Sequence, residues 1–292
     1  MNRSETLLEY DGGLLRFLMP GNQRHRVLVV ESAAYLPRLR AMWPEAEIMA
    51  VVSDEDVPQR PELAGLDIAW TVLDYLETPL PFARESFDYI LSDFCLDLSW
   101  NPQDIAAGLG LFLKQTGFLL LSFRNIRYWK ILQNLMQGHY YGIVTRMFTQ
   151  TEMERLLAAS FYKEMDFLPV YHDAPGELLA RLEAAGFGNE HGDLEAEYYL
   201  VRAARSMSGI ARLKREQRPE VRRELSRLLH RIEYGIDGKE NSARLWNLYR
   251  KEQMTAEYLD AFINEATAHP ARVRARLGIA GDGRQQDEHE NI

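Results

Sequence analysis

The sequence of 292 residues contains a single cysteine, Cys95. One thiol cannot form an internal disulfide, and it cannot build a metal site that needs several cysteine ligands. The fold must therefore be stabilised by an apolar core, for which a hydrophobic content of 46% is ample in a chain of this length.

Long uninterrupted apolar runs are also missing. The most apolar stretch, residues 109–123, is broken by Lys114, Gln115 and Thr116, and it is too short to cross a bilayer. Residues 1–21 lack a basic region followed by an apolar core, which argues against a signal peptide. We therefore expect a cytoplasmic protein with no transmembrane segment.

Positive charge is in the minority, with 34 Lys and Arg against 43 Asp and Glu and a net charge of −9. This balance disfavours nucleic-acid binding. The exception is the segment 202–231, where ten Lys or Arg against three Glu give +7, which leaves −9 − 7 = −16 for the remainder. The basic segment is therefore a distinct surface.

Residues 80–125 contain two short apolar runs that bracket one helical pattern. Each run has strand length and ends in polar residues, which is typical of strands buried on both faces of a parallel sheet. Asn101 is suited to cap the intervening helix, and Pro102 is suited to its first position, where no amide hydrogen is needed.

This stretch resembles one family in the order and spacing of its motifs. The motifs are Leu80-Pro81-Phe82, Ser86-Phe87-Asp88-Tyr89-Ile90, Leu96-Asp97-Leu98, Asn101-Pro102 and Leu113-Lys114-Gln115-Thr116-Gly117-Phe118-Leu119-Leu120-Leu121. They resemble the class I S-adenosylmethionine-dependent methyltransferases over residues 26–204. The resemblance implies an α/β, Rossmann-like fold with a doubly wound, seven-stranded, mostly parallel sheet, whose last strand is antiparallel.

The strongest departure from this family lies after the first strand, Arg26–Val30. There the family has a glycine-rich turn, because the backbone must approach the cofactor closely. The three glycines fall here on Glu31, Ala33 and Tyr35, with Ser32 between the first two. A left-handed residue with a Cβ costs about 1–2 kcal/mol, and a side chain filling the pocket excludes the ligand. Either this turn cannot hold S-adenosylmethionine in the family's way, or Ser32 and neighbouring amides form a shallower site.

The resemblance also implies cofactor groups after the second and third strands. The family's acidic residue that holds the ribose hydroxyls is Val52 here, and Asp54 is either its substitute or part of a solvated turn. Asp74, followed by Tyr75, keeps the acid that accepts a hydrogen bond from adenine, unless it only caps its turn. Residues 54–56 also have the D-x-D form that holds a divalent ion in many glycosyltransferases, but this is a weak match and we expect no metal.

Candidates for catalysis and acceptor binding follow the fourth and fifth strands. The family's histidine in this loop is absent, which leaves Asp93, Asp97 and His139 as candidate bases. The sulfonium already activates the methyl group, so a missing base does not abolish transfer. The side chains suited to a sugar or planar acceptor are Arg124, Asn125, Tyr128, Tyr140 and Arg146.

Composition changes beyond residue 205, where apolar residues recur at helical spacing. We predict a methyltransferase-like domain over 1–205, a helical module over 206–280 and a disordered tail over 281–292. The basic helix of the module is a candidate surface for a protein partner, a phosphate-bearing glycan or an anionic membrane surface, or it docks on an acidic patch of its own domain.

Two functions follow. The first is methyl transfer from S-adenosylmethionine to a small molecule or a glycan. The second is a pseudoenzyme, a scaffold with no cofactor that binds a partner or a glycan. Glu31, Tyr35 and Val52 favour the second, whereas the strand pattern bears on the fold alone.

Overall fold

The structure is a computed structural model that describes residues 12–139, 146–189, 191–205, 219–252 and 254–279. The chain divides into two compact units, Met1–Arg205 and Ser206–Ile292. Every described strand belongs to the first unit, and the described part of the second unit is helical.

Seven strands form one sheet. They are β1 Arg26–Val30, β2 Glu47–Val52, β3 Ile68–Val72, β4 Phe87–Ser92, β5 Leu113–Arg124, β6 Glu164–Tyr171 and β7 Ala196–Ala204. Their order is β3-β2-β1-β4-β5-β7-β6, and β7 runs antiparallel to both of its neighbours. This confirms the predicted Rossmann-like, doubly wound sheet of seven mostly parallel strands.

Helices cover both faces of the sheet. Those described in the first unit are α1 Leu36–Met42, α2 Pro102–Phe112, α3 Trp129–Met136, α4 Gln150–Ala159 and α5 Gly176–Ala184, with 3-10 helices at Gly13–Phe17, Ala33–Tyr35, Val57–Gln59 and Pro61–Leu63. The Asn101 side chain accepts a hydrogen bond from the amide of Asp104, and Pro102 lies in the first turn of α2. The predicted start of this helix is therefore confirmed.

The central strand β1 shows how the sheet separates two cores. Val27 and Val29 pack into the cluster on one face, and Leu28 and Val30 pack into the cluster on the other. Successive side chains of a strand point to opposite faces, so a continuous apolar run buries both. Because β1 pairs with β2 on one side and with β4 on the other, the turn after it reaches the middle of the sheet edge.

The second unit has its own apolar core. Its described helices are α6 Pro219–Glu233, α7 Gly238–Lys251, α8 Ala256–Ala266 and α9 Pro270–Leu277. Leu225, Leu229 and Ile232 of α6 pack with Leu245 of α7 and Ile263 of α8. The predicted tail, 281–292, lies outside the described residues. Across the described parts of both units, no helix has the length and apolar character needed to cross a membrane.

Gly117 is required by the close approach of β5 to β4. A Cβ at this position would lie 2.9 Å from the carbonyl oxygen of Phe87 and 3.1 Å from that of Asp88. Both neighbours are backbone atoms, so a strand would have to shift. We expect Gly117→Ala to lower the free energy of unfolding by about 1–3 kcal/mol, measured by urea denaturation.

Gly108→Ala is the matched control. This glycine lies in α2, and a Cβ added to it meets no atom within 4 Å. Alanine should raise the free energy of unfolding by about 0.5–1 kcal/mol through helix propensity. The same loss of stability in both variants would show that Gly117 has no special packing role.

Candidate functional site

The strand order changes direction between β1 and β4. The chain runs outward from β1 to β2 and β3, and it then returns to place β4 on the other side of β1. In open α/β sheets, ligands bind outside the carboxyl ends of the strands at such a reversal. The residues that follow Val30, Val52, Val72 and Ser92 therefore form the candidate site.

The turn after β1 has a left-handed residue without a glycine. Glu31 has a φ of 52°, which costs about 1–2 kcal/mol for a residue with a Cβ. Its amide donates to the carbonyl of Val51 over 2.9 Å, and its Oε1 accepts from the amide of Ser53 over 2.6 Å. These two hydrogen bonds hold the Glu31 carboxylate at the end of β2.

This position compensates for the apolar end of β2. Val52 is buried and offers no hydrogen-bonding side chain. Glu31 brings a carboxylate to the same strand end from the neighbouring strand, and its Oε2 makes no hydrogen bond to another described residue. A carboxylate therefore lies at the end of β2, although residue 52 itself carries none.

Asp74 lies just beyond the end of β3 and is exposed. Its Oδ1 accepts a hydrogen bond from the amide of Leu76 over 2.9 Å, and its carbonyl accepts one from the amide of Thr78 over 2.8 Å. The turn-capping role is therefore present. The role in binding adenine stays a prediction, to which Oδ2 is suited.

Tyr75 follows Asp74 directly in the chain and lies close enough to Glu31 to be affected by its charge. Its ring belongs to the buried cluster that contains Val30, and its hydroxyl donates to the carbonyl of Cys95 over 3.4 Å. Burial raises the pKa of Tyr75, and Cys95 and the carboxylates of Glu31 and Asp74 raise it further. The structure thus brings Glu31, Asp74 and Tyr75 together.

Tyr35 points inward, and its ring packs in the core cluster that contains Val27 and Val29 of β1. Its buried hydroxyl donates to Oδ2 of Asp93 over 2.7 Å and accepts from the amide of Leu14 over 3.3 Å. Gly13 packs so closely that an added Cβ would collide with this hydroxyl. Because Asp93 directly follows β4, the phenol closes the space between the two strand ends.

Asp93 is the centre of a buried polar network. Its Oδ1 accepts from the hydroxyl of Ser122 over 2.5 Å, and its amide donates to Oγ of Ser32 over 2.8 Å. The Ser32 hydroxyl donates in turn to the carbonyl of Val30 over 2.9 Å. Ser32, Tyr35 and Asp93 therefore bind one another inside the fold.

The charge state of this network follows from its burial. Burial raises the pKa of Asp93 to about 6, and the hydrogen bonds from Ser122 and Tyr35 oppose part of that rise. Burial raises the pKa of Tyr35 as well, as do the charge of Asp93 and the hydrogen bond to it. The phenol is therefore a donor at neutral pH. Asp93, only 6% exposed, has little surface with which to meet an acceptor molecule.

S-adenosylmethionine consists of an adenosyl part and an amino-acid tail, and the site fits the two differently. The carboxylates of Glu31 and Asp74 match the hydroxyl and amino donors of adenosine. The gap at the reversal is filled by Tyr35, and Ala33 is buried in the core. The adenosyl part fits the residues present, whereas the tail does not fit this conformation.

Asp54 forms its own turn. Its Oδ1 accepts from the amide of Asp56 over 2.9 Å, and its carbonyl accepts from the amide of Val57 over 3.3 Å. No group of three or more His, Cys, Asp or Glu among the described residues could hold a metal ion. The geometry therefore agrees with the solvated-turn interpretation.

Asn125 joins the end of β5 to the loop before β7. Its Nδ2 donates to the carbonyls of Asp193 and Ala196 over 2.6 and 2.8 Å, and its Oδ1 accepts from the amide of Arg127 over 3.0 Å. Both amide hydrogens are used within the fold. Asn125 thus fixes the end of β5 to the entry of β7, and its role in binding an acceptor stays a prediction.

Asp97 connects the other candidates on that side. Its Oδ2 accepts from the amide of Arg124 over 3.3 Å, and its carbonyl accepts from the amide of Arg146 over 2.8 Å. The exposed Arg146 side chain donates to the carbonyl of Trp100 over 3.0 Å. Trp100 is 86% exposed, and its position next to Arg146 is a feature that the sequence pattern did not indicate.

Three candidates remain, of which Tyr128 contacts Asn125, because its amide donates to the Asn125 carbonyl over 3.2 Å. Tyr128 is buried, and burial, followed by the charge of Glu197, raises its pKa to about 12. His139 is exposed, and its amide donates to the carbonyl of Asn134 over 2.8 Å. Tyr140 lies outside the described residues.

The sheet brings together one further pair of polar side chains, His172 and Glu197, which the sequence pattern did not indicate. Nε2 of His172 lies 3.1 Å from Oε2 of Glu197, and the rings of His172 and Tyr128 are 6.2 Å apart. Both residues are half-buried. His172 follows β6 and Glu197 lies at the start of β7, so only the antiparallel register makes them neighbours.

Asp93 should make stability depend on pH. Its folded pKa of about 6 lies above its ordinary value of 3.8, so the folded state binds this proton more tightly than the unfolded state does. The resulting stabilisation is complete below about pH 4 and is lost as the pH rises through about 6, a change of about 3 kcal/mol.

The measurement compares the unmodified chain with Asp93→Asn, which cannot titrate at this position. Chemical unfolding at several pH values between 4 and 7 gives the difference in unfolding free energy between the two proteins. That difference should shift by about 3 kcal/mol against the aspartate as the pH rises. A difference independent of pH would contradict the assignment.

Proteins similar to this chain are found among solved structures. No family model and no curated protein matches this chain. A solved S-adenosylmethionine-dependent methyltransferase of Thermotoga maritima, described as a possible histamine N-methyltransferase, is 16% identical over 66% of this chain and 86% of its own, with a TM-score of 0.46. One from Mesorhizobium loti is 16% identical over 65% and 94%, with a TM-score of 0.47.

A third similar structure is a putative methyltransferase of Haloferax volcanii, solved in complex with the Trm112 methyltransferase activator. It is 15% identical over 69% of this chain and 93% of its own, with a TM-score of 0.47. Identity and scores at this level carry no argument about activity or partners. The observed strand order and the antiparallel β7 give the chain the Rossmann-like fold expected of class I S-adenosylmethionine-dependent methyltransferases.

Proposed function

We propose that this chain is an S-adenosylmethionine-dependent methyltransferase-like protein that acts on a small molecule or a glycan. The observation that carries the proposal is the 2.6 Å hydrogen bond from the Ser53 amide to Oε1 of Glu31. It holds a carboxylate at the end of β2, next to the reversal in strand order where α/β sheets bind their ligands.

Three side chains would bind the adenosyl part. Glu31 would accept hydrogen bonds from the ribose hydroxyls, and Oδ2 of Asp74 would accept one from the adenine amino group. Tyr75 would provide an aromatic ring beside the two carboxylates, whose charges raise the pKa of its hydroxyl. The site is therefore acidic and aromatic, which suits a neutral nucleoside better than a phosphorylated one.

The acceptor would bind on the β5 side of the edge. Trp100 and Arg146 combine an exposed aromatic ring with a guanidinium, which suits stacking and hydrogen bonding to a sugar. S-adenosylmethionine, when bound, supplies a methyl group activated by its sulfonium. The protein residues then bind and orient the two partners, which can account for a large part of the rate.

A specific observation supports the second candidate, a scaffold without methyl transfer. The hydrogen bond between Tyr35 and Asp93 closes the gap at the centre of the edge. In that case the surface around Trp100 and Arg146 would bind a glycan or a partner without a cofactor.

Two further expectations concern the surroundings of the protein. A cytoplasmic location stays a prediction from the sequence. A protein partner for the basic segment 202–231 also stays a prediction, because residues 206–218 lie outside the described residues.

Thermal unfolding with and without ligand distinguishes the two candidates. S-adenosylmethionine or S-adenosylhomocysteine at a hundredfold excess over its dissociation constant should stabilise the folded chain by about 2.7 kcal/mol. An unchanged melting temperature at millimolar concentrations of both ligands would reject the cofactor-binding proposal and favour the scaffold.

Substitutions at the carboxylates test the site itself. Glu31→Gln and Asp74→Ala should each weaken S-adenosylhomocysteine binding by about tenfold to a hundredfold, because each removes a charged acceptor of a hydrogen bond worth about 1.5–3 kcal/mol. Calorimetric titration measures this loss. Glu55→Gln removes a charge from the neighbouring exposed turn and should leave the affinity unchanged. Equal effects at residues 31 and 55 would indicate only a general charge effect.

A further inference from the structure

The strand order fixes the direction in which a bound nucleoside would extend. Asp74 follows β3, and the carboxylate of Glu31 lies at the end of β2. Neighbouring strands lie about 4.8 Å apart, so the two carboxylates stand at adjacent strand ends along the same edge of the sheet. A base at Asp74 and a ribose at Glu31 direct the 5′ substituent along the edge, past β1 and towards β4.

The Tyr35 phenol lies in that path. Its hydroxyl bonds to Asp93 at the end of β4, and its buried ring packs beside the turn after β1, so that the side chain occupies the gap between this turn and Asp93. The amide of Leu14 and the close contact with Gly13 hold the hydroxyl from the other side. A long 5′ substituent can enter this gap only when the phenol leaves Asp93.

The groups around the phenol would otherwise suit a polar tail. Asp93 is a carboxylate at neutral pH, and it accepts hydrogen bonds from Tyr35 and Ser122. Removing the phenol would expose one carboxylate oxygen to the gap, and an ammonium group could then form a charge-assisted hydrogen bond with it. Tyr35 thus occupies the place of an amino-acid tail and uses the partner that such a tail would use.

We infer that Tyr35 is a specificity-determining residue that makes this site prefer an adenosine thioether without an amino-acid tail. The inference rests on the proposed adenosyl site and adds to it the identity of the 5′ substituent. A 5′-thioadenosine with a short alkyl group binds at Glu31 and Asp74 while Tyr35 stays on Asp93. S-adenosylmethionine and S-adenosylhomocysteine must first displace the phenol.

The experiment compares two ligands that differ mainly in the tail. S-adenosylhomocysteine and 5′-deoxy-5′-methylthioadenosine are titrated calorimetrically into the full chain and into variants at residue 35. The full chain should bind methylthioadenosine about tenfold or more tightly than S-adenosylhomocysteine. Tyr35→Ala should shift this ratio by about tenfold or more towards S-adenosylhomocysteine, because the tail gains both space and a carboxylate partner.

Two further variants separate the ring from its hydrogen bond. Tyr35→Phe keeps the ring in the gap and removes the bond to Asp93, so it should keep the preference for methylthioadenosine. Tyr162→Phe is the matched control, because Tyr162 is equally buried and its hydroxyl donates to the carbonyl of Ala106, away from the strand ends. Its ligand ratio should equal that of the unmodified chain.

Each outcome of this experiment either supports or contradicts the inference. If the full chain binds S-adenosylhomocysteine as tightly as methylthioadenosine or more tightly, the inference is wrong and the proposed adenosyl site stands. If neither ligand binds the folded full chain, the inference and the proposed function both fail. If Tyr35→Ala does not fold, the ratio in the full chain and in Tyr35→Phe still decides, because a steric block requires the same preference in both.

Discussion

The hydrogen bond between the Tyr35 hydroxyl and Asp93 is the contact on which the centre of this fold depends. It joins the turn after β1 to the end of β4, the two strands between which the chain changes direction. A buried carboxylate is costly without partners. Here the cost is offset by donors from Tyr35 and Ser122, while the amide of Asp93 is bound by Ser32.

The turn after β1 combines a left-handed backbone conformation with an acidic side chain. The left-handed φ persists at Glu31, although glycine would adopt it at lower cost. The strain of about 1–2 kcal/mol is comparable to a hydrogen bond to a charged acceptor, about 1.5–3 kcal/mol. The bond from the Ser53 amide therefore compensates for the strain, and it also moves a negative charge to the end of β2.

The other half of the edge is organised by the antiparallel strand. Asn125 binds the carbonyls of Asp193 and Ala196 at the entry to β7, and β7 brings Glu197 within reach of His172. This part of the edge is thus held by hydrogen bonds from a side chain to the backbone, whereas the exposed residues Trp100 and Arg146 lie in loops. Such a division lets a fixed sheet carry a variable binding surface.

The sheet and the elements of the first unit could be predicted from the sequence alone. The apolar run of β1, the cap at Asn101 and the position of Pro102 are local signals, and local signals decide where strands and helices begin. The resemblance to the methyltransferase family identified Glu31, Tyr35 and Val52 as the positions at which the family pattern is lost. The directions of the side chains at those positions could not be predicted, because direction depends on partners far along the chain.

The contacts made by the side chains at these positions are visible only in the three-dimensional structure. Glu31 turns towards Ser53, 22 residues away, and Tyr35 turns towards Asp93, 58 residues away. Tyr35 is therefore packed in the core with its hydroxyl on Asp93 at the end of β4, and Glu31 places at the end of β2 a carboxylate that Val52 lacks. Both outcomes follow from the parallel pairing of β1 with β2 and with β4, which places distant strand ends at one edge where their side chains can hydrogen-bond.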